Sequence, residues 1–234
     1  MNVTHVSEDR VAVERYLAQR TRPPLPARIA GRIGSRLIVS APWLWPLLRR
    51  PTRRLWNRMA RRWDQAIKPD SPDHLAPLDR ACECLDVPPS RVLDIGTGTG
   101  AGALMLARRF PDAQVVGVDI SDVMVRAALA KRSADLTDRV DFAVVDGASL
   151  PYEPGTFDLV TQCNMPPFIA EVARVLRPGG SHVIADSLGS GTPSFTPRRI
   201  LRRAVERCGL QTIADGRAGA GTFFVARKPG GVMR

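Results

Sequence analysis

Three acids in this 234-residue chain stand where an apolar run gives way to a turn: Asp94 in VLDIGTGTG, Asp119 in VVGVDIS and Asp146 in VVDGASLPY. After Asp94, glycine occupies every second position from Gly96 to Gly102, so a ligand can approach the main chain closely there. Gly96-x-Gly98-x-x-Ala101, with Asp119 about twenty residues on, fits the fingerprint of a dinucleotide-binding turn. Asp94 argues against a dinucleotide, because a carboxylate just ahead of the first glycine would face a pyrophosphate and repel it. It suits a ligand with a cationic head. A carboxylate at Asp119 can accept from both hydroxyls of a ribose, and one at Asp146 from the amino group of adenine.

The residues around these acids read as the elements that must hold them. Residues 91–95, 114–119, 139–146, 156–163 and 181–187 are apolar, β-branched runs expected to form strands. Between them, helices are expected over 100–109, over 121–134 with Ser121 as N-cap, over 168–176 until Arg177-Pro178-Gly179-Gly180 stops it, and over 196–209. Two more strands, 210–215 and 221–228, are joined by a tight glycine-rich turn and so pair antiparallel. The earlier β-α-β alternation requires right-handed crossovers and a parallel sheet with helices on both faces. The expected fold is α/β: a doubly wound, mostly parallel seven-stranded sheet, Rossmann-like, with a C-terminal antiparallel hairpin and an N-terminal helical segment. Each acid then stands one strand further along the carboxyl edge, where ligands bind in such sheets.

S-adenosylmethionine (SAM) has an ammonium and a sulfonium at one end, a nucleoside at the other, and no phosphate. With VLDIGTGTG, VVGVDIS, VVDGASLPYEPGTFDLV and EVARVLRPGG in that order, the chain resembles the class I SAM-dependent methyltransferases over roughly residues 85–228. The resemblance implies that Asp94, Gly96, Thr97, Gly98 and Gly100 line the methionyl and ribose side. Asp119 would hold the ribose, Ile120 and Met124 would flank the adenine, and Asp146, Gly147 and Ala148 would edge it.

Methyl transfer from a sulfonium is an in-line displacement that depends chiefly on bringing nucleophile and methyl together; a base is needed only where the acceptor carries a proton that must leave. No such base is evident in the sequence, and His182, inside the fifth strand, reads as a packed core histidine. Cys163 and Asn164, at the end of the fourth strand in QCNMPPF, are the candidates to border the methyl group. Met165 separates Asn164 from Pro166, so the Asn-Pro-Pro-aromatic signature of enzymes acting on nitrogen is out of register, and a plain strand-to-helix connection is the favoured reading. Cys82, Cys84 and Cys208 read as reduced structural thiols, and neither cysteines nor histidines have a metal-ligand spacing.

The net charge of +11 sits almost wholly in the first 70 residues, which carry 15 Lys and Arg against 5 Asp and Glu. This splits the chain into a basic helical extension or lid (1–70), a SAM-binding domain (71–228) and a flexible tail (229–234). In the extension, Ile29, Ile33 and Leu37 recur at every fourth position beside Arg28, Arg32 and Arg36, and Trp43, Leu44, Trp45, Leu47 and Leu48 form an apolar patch broken by Pro42 and Pro46. Leu55, Trp56, Met59 and Trp63 then line one side of a helix that bears seven arginines from Arg49 to Arg62. Residues 25–68 are expected to cover the acceptor pocket and to lie on an anionic membrane; tryptophans beside prolines disfavour nucleic acid as the partner. No apolar run reaches the 18 or so residues of a membrane span, and the start lacks an apolar signal region, so a cytoplasmic, membrane-associated protein is expected. The expected activity is methyl transfer to a small, apolar or lipid-like acceptor. The alternatives are an N-methyltransferase of RNA or protein, or a non-catalytic SAM-binding protein.

Overall fold

The apolar runs become strands in chain order: β1 (Arg91–Ile95), β2 (Gln114–Asp119), β3 (Val140–Val144), β4 (Phe157–Cys163), β5 (Leu176–Asp186), β6 (Gln211–Ala218) and β7 (Gly221–Arg227). The computed structural model describes residues 25–230. The first 24 residues of the expected extension, with His5, and residues 231–234 of the expected tail lie outside them. One sheet has the order β3-β2-β1-β4-β5-β7-β6; its first five strands run parallel and β7 runs antiparallel to both neighbours. The central runs are apolar throughout because both faces are covered.

Alternation along each strand divides the core in two. Val92, Leu159 and Val183 face the helices α3 (Pro72–Cys82), α4 (Ala101–Arg109) and α5 (Asp122–Lys131). Leu93, Ile95, Val160 and Ile184 face α6 (Ile169–Val175) and α7 (Arg198–Arg207). Leu93, Ile95 and Leu159 are fully buried, each contributing about 1.5–3 kcal/mol. Ser121 caps α5 by accepting from Met124 N–H at 3.1 Å.

β5 departs from expectation. It starts at Leu176, directly after α6, and runs through the stretch expected to be a turn. Phe157 pairs with Leu176, but Leu159 pairs with Ser181, so Arg177–Gly180 is absorbed as an irregularity. Gly179, with φ +83°, donates to Lys228 O, and Lys228 N–H donates to Gly180 O; the second ladder keeps the extra residues in the sheet.

The N-terminal residues form α1 (Leu25–Ser40), a 3-10 turn (Pro42–Leu44) and α2 (Trp45–Ile67). The expected grouping of Leu55, Trp56, Met59 and Trp63 on one side is not what packs inward. Trp45, Trp56, Asn57, Ala60, Trp63 and Asp64 are buried or half-buried, whereas Leu55 and Met59 are exposed. On α1, Ser35 and Ile38 are buried while Ile29, Ile33 and Leu37 are exposed.

Candidate functional site

The carboxyl edge gathers the glycine loop and the three acids. At Gly96, Gly98 and Gly100 φ is +68°, +56° and +87°, which strains any other residue. A Cβ on Gly96 would also collide with Sδ of Met165, and one on Gly100 would stand 3.0 Å from Ala128 and Phe142. A Cβ on Gly98 would meet nothing within 4 Å, so the loop is open there. Thr97 is buried, and its N–H donates to Val118 O at 3.0 Å.

Asp94 is buried beneath this loop, where its Oδ1 accepts from Thr161 Oγ1 at 2.7 Å. Burial pushes its pKa up to about 6, against hydrogen bonds from Thr161, Thr97 and Ala103 N–H, and the charge of Asp119 acts in the same direction. No cation pairs with it among the described residues. Asp119 accepts from Ser121 N–H at 2.8 Å and Gly98 N–H at 3.0 Å, stitching the end of β2 to the glycine loop; burial raises its pKa as well. Met124 is buried one turn into α5, and Ile120 is half-buried in a small apolar cluster with Ile38, Trp45 and Phe168.

Asp146 lies two residues beyond the end of β3. Its Oδ1 accepts from Ala148 N–H at 3.0 Å and from Trp45 Nε1 at 2.7 Å. A Cβ on Gly147 would stand 2.6 Å from Ile95 and 3.1 Å from Phe168, so glycine lets Phe168 pack under the turn and meet Trp45 edge-on at 5.0 Å. Arg174 holds the next stretch by donating to Tyr152 O and Leu150 O.

Asn57 and Asp64 were not singled out by the sequence, and Trp45 only as part of an apolar patch; from α2, Trp45 reaches Asp146, while Asn57 and Asp64 reach the glycine-loop side. Asn57 Nδ2 donates to Asp122 Oδ1 at 3.0 Å, and its Oδ1 accepts from Ser121 Oγ at 2.5 Å. Asp64 accepts from Thr99 Oγ1 at 2.6 Å and pairs with Lys131 at 2.8 Å. The available signal was two polar residues, Asn57 and Asp64, two turns apart beside Trp56 and Trp63. α1 covers the opposite side: the Arg32 guanidinium donates to Ser190 O, and Gly31 lies so close to Pro193 that a Cβ would stand 2.7 Å from its carbonyl oxygen. The arm thus spans the edge from β3 to the β5–α7 connection.

At the end of β4, Asn164 adopts φ +55°. Its Oδ1 accepts from Ser187 N–H at 2.8 Å, while Nδ2 donates to Ser187 Oγ at 2.9 Å and faces His74 Nε2 at 3.2 Å. The amide therefore ties the ends of β4, β5 and α3 together. Burial, reinforced by Asp94, Cys82 and Asp186, raises the Cys163 thiol well above its ordinary pKa, so it is neutral and a poor nucleophile. Met165 lies against Gly96 instead, with Gln162 Nε2 3.7 Å from its sulfur. Fully buried His182 places Nε2 3.0 Å from Gln162 Oε1, and burial lowers its pKa to about 3, so it is neutral. Cys82, Cys84 and Cys208 carry free thiols in or just after the ends of α3 and α7, away from the carboxyl edge. Asp186, also missed, ends β5 one residue beyond the Cys163–Ala185 pair. It is buried, which pushes its pKa up to about 8.

Residues 92–180 match a family model described as a methyltransferase domain. Demethylmenaquinone methyltransferase of Thermus thermophilus is 40% identical over 110 residues, covering 44% of this chain and 49% of that protein. 27-O-demethylrifamycin SV methyltransferase of Amycolatopsis mediterranei is 38% identical over 112 residues, covering 44% and 41%. The chain spans about half the length of the curated relatives it matches. The structure of a SAM-dependent methyltransferase from Aquifex aeolicus superposes with a TM-score of 0.58 at 21% identity, covering 69% of this chain and 95% of that one. Geranyl diphosphate C-methyltransferase from Streptomyces coelicolor does so with a TM-score of 0.55 at 16% identity, covering 64% and 77%. The two structures bear out the doubly wound fold.

Proposed function

From the premise that the chain belongs to the class I SAM-dependent methyltransferases, we propose that it transfers the methyl group of SAM to a small, apolar or lipid-like acceptor at an anionic membrane surface. The observation that carries the reading is Asp94, a buried carboxylate with no cation partner among the described residues, beside a glycine loop open at Gly98. A ligand ammonium supplies the missing charge, so the residues fit the cofactor. Asp94, Gly96, Thr97, Gly98 and Gly100 hold its methionyl and ribose side, and Asp119 holds the ribose. Ile120 and Met124 flank the adenine, with Asp146, Gly147 and Ala148 at its edge. SAM supplies an activated methyl, so the chain's own task is to bind, align and exclude water.

Cys163 and Met165 wall the methyl-transfer side, and Asn164 positions them by locking the β4 turn. Where the acceptor loses a proton, Asp186 takes it: as the acceptor atom bonds the methyl carbon, the carbon–sulfur pair leaves with sulfur and the proton passes to the Asp186 carboxylate. The relatives named for demethylmenaquinone and 27-O-demethylrifamycin SV support a small organic acceptor.

No helix among the described residues is long and apolar enough to cross a membrane, so the membrane is met from its surface. Ile29, Ile33, Leu37, Trp43 and Leu47 are exposed on α1 and the turn into α2, fringed by exposed Arg36, Arg50 and Arg54. This pairing suits anionic headgroups over an apolar boundary. Methyl-labelled SAM added to extract with the protein tests the reading: label should partition into organic solvent. Label in RNA or protein, or in nothing, would overturn it.

A further inference from the structure

A cavity of about 350 Å³ opens between the first turns of α2 and the carboxyl ends of β2 and β3. Arg49, Arg50 and Arg53 form one wall; Ile120 and the Val144–Asp146 stretch form the other. The three guanidinium groups make no ion pair among the described residues. Asp146, the single acid lining the cavity, already spends one oxygen on Trp45 and Ala148. Three exposed cations with no acidic partner among the described residues make the mouth of the cavity electropositive and draw an anion to it. In the reading above the adenine takes the Ile120 and Asp146 wall of this cavity and carries no charge, so the arginine wall opposite is left for an anion beside it.

The planar fork of arginine matches phosphate oxygens two at a time. Beside the cavity, Trp43 and Leu47 are each 74% exposed, and Leu47 lies one turn from Arg50. A cationic cavity next to bare apolar side chains has the layout of a phospholipid headgroup and its chains. We propose that Arg49, Arg50 and Arg53 form a subsite for the headgroup phosphate of an anionic phospholipid, and that its occupancy tightens cofactor binding. The coupling rests on the adenine placement above: Trp45, one turn before Arg49 on α2, reaches Asp146 and Phe168, so fixing this end of the helix closes the roof over the adenine end. Linkage makes the effect reciprocal.

The test uses the full chain and two triple variants of equal charge. Arg49→Gln/Arg50→Gln/Arg53→Gln removes the cavity wall. Arg199→Gln/Arg203→Gln/Arg207→Gln removes three exposed arginines of α7 that neither line it nor border the apolar patch of the arm. Flotation on phosphatidylglycerol vesicles should weaken at least tenfold more in the cavity variant than in the control. Phosphatidylcholine should bind little. Calorimetry should show severalfold tighter SAM binding with phosphatidylglycerol vesicles in the wild type and the control, and no change in the cavity variant.

Equal loss of flotation in both variants would overturn the subsite in favour of diffuse charge. Tightening by inorganic phosphate without vesicle binding would overturn the lipid source. Retention of an RNA oligonucleotide, lost in the cavity variant, without vesicle binding would overturn it in favour of nucleic-acid phosphate. Failure of the wild type to bind SAM would defeat the coupling and the functional reading, while flotation, which needs no cofactor, would still decide the phosphate subsite.

Discussion

The sheet domain and the arm over it dispose of their apolar residues in opposite ways. In the domain, the strands bury Leu93, Ile95, Leu159 and Phe224 between two layers of helices. Of eleven exposed large apolar side chains among the described residues, seven lie between Ile29 and Met59 and four are scattered over the rest. The arm turns Ser35, Asn57 and Asp64 inward beside Ile38, Trp45 and Trp63, and leaves arginines and apolar side chains together on its outer face. The domain's apolar pattern answers to its own core, whereas the arm uses uncharged and acidic polar groups to dock on the sheet edge and leaves much of its apolar surface outside.

The widest separation between the two regions should come from the acids. Asp186→Asn should lower kcat by about 100-fold or more, the range for losing a general base, with little change in SAM affinity. Because burial holds the Asp186 pKa up to about 8, wild-type turnover should rise with pH until about 8 and then level, and the variant should lose that limb. A variant that keeps the wild-type profile would remove Asp186 from the reaction.

Asp94→Asn keeps the shape of the site and deletes its charge, and should weaken SAM binding by about 100-fold, near the upper end for hydrogen bonds to a charged group. The free carboxyl has a pKa pushed up to about 6, so it is ionised above that pH and protonated below. Wild-type affinity should hold above about pH 6 and fall about tenfold per unit beneath it, while the variant stays flat; calorimetry across pH reads both.

The arm should give smaller numbers. Asn57→Ala cuts the ties to Ser121 and to the Asp122 carboxylate and should weaken SAM binding by about 3- to 10-fold, about the net worth of one typical hydrogen bond. Smallest of all, Trp43→Ser with Leu47→Ser should move folding stability by no more than about 0.5 kcal/mol, as exposed positions do, while lowering vesicle binding. A large loss of stability would mean that these side chains pack on the protein, and the contrast between the regions would fail.

The domain was legible because its signals are local. The glycine loop follows directly on its strand, the acids end theirs, and alternation set the sheet. The start of β5 was misread because Arg-Pro-Gly-Gly ordinarily stops a helix into a turn, and the ladder to Lys228 that straightens it comes from almost fifty residues away in the chain. Asn164 was legible as a position and not as a role: its partners Ser187 and His74 arrive from two other elements. The side of α2 that turns inward was hidden for a related reason. The apolar stripe of Leu55 and Met59 is the more conspicuous in sequence, but Thr99, Ser121 and Asp122 offer hydrogen-bond partners that draw in Asn57 and Asp64.

One hairpin rests on both sides of the carboxyl edge, through α2 on the glycine loop and through α1 on the β5–α7 connection, with the turn Pro42–Leu44 between its helices. Under the proposed reaction this imposes a clock. If the spent cofactor and the methylated product both leave past this arm, one opening serves both departures. A first turnover inside the closed arm would run at the rate of the chemistry, and each later one at the rate at which the hairpin lifts.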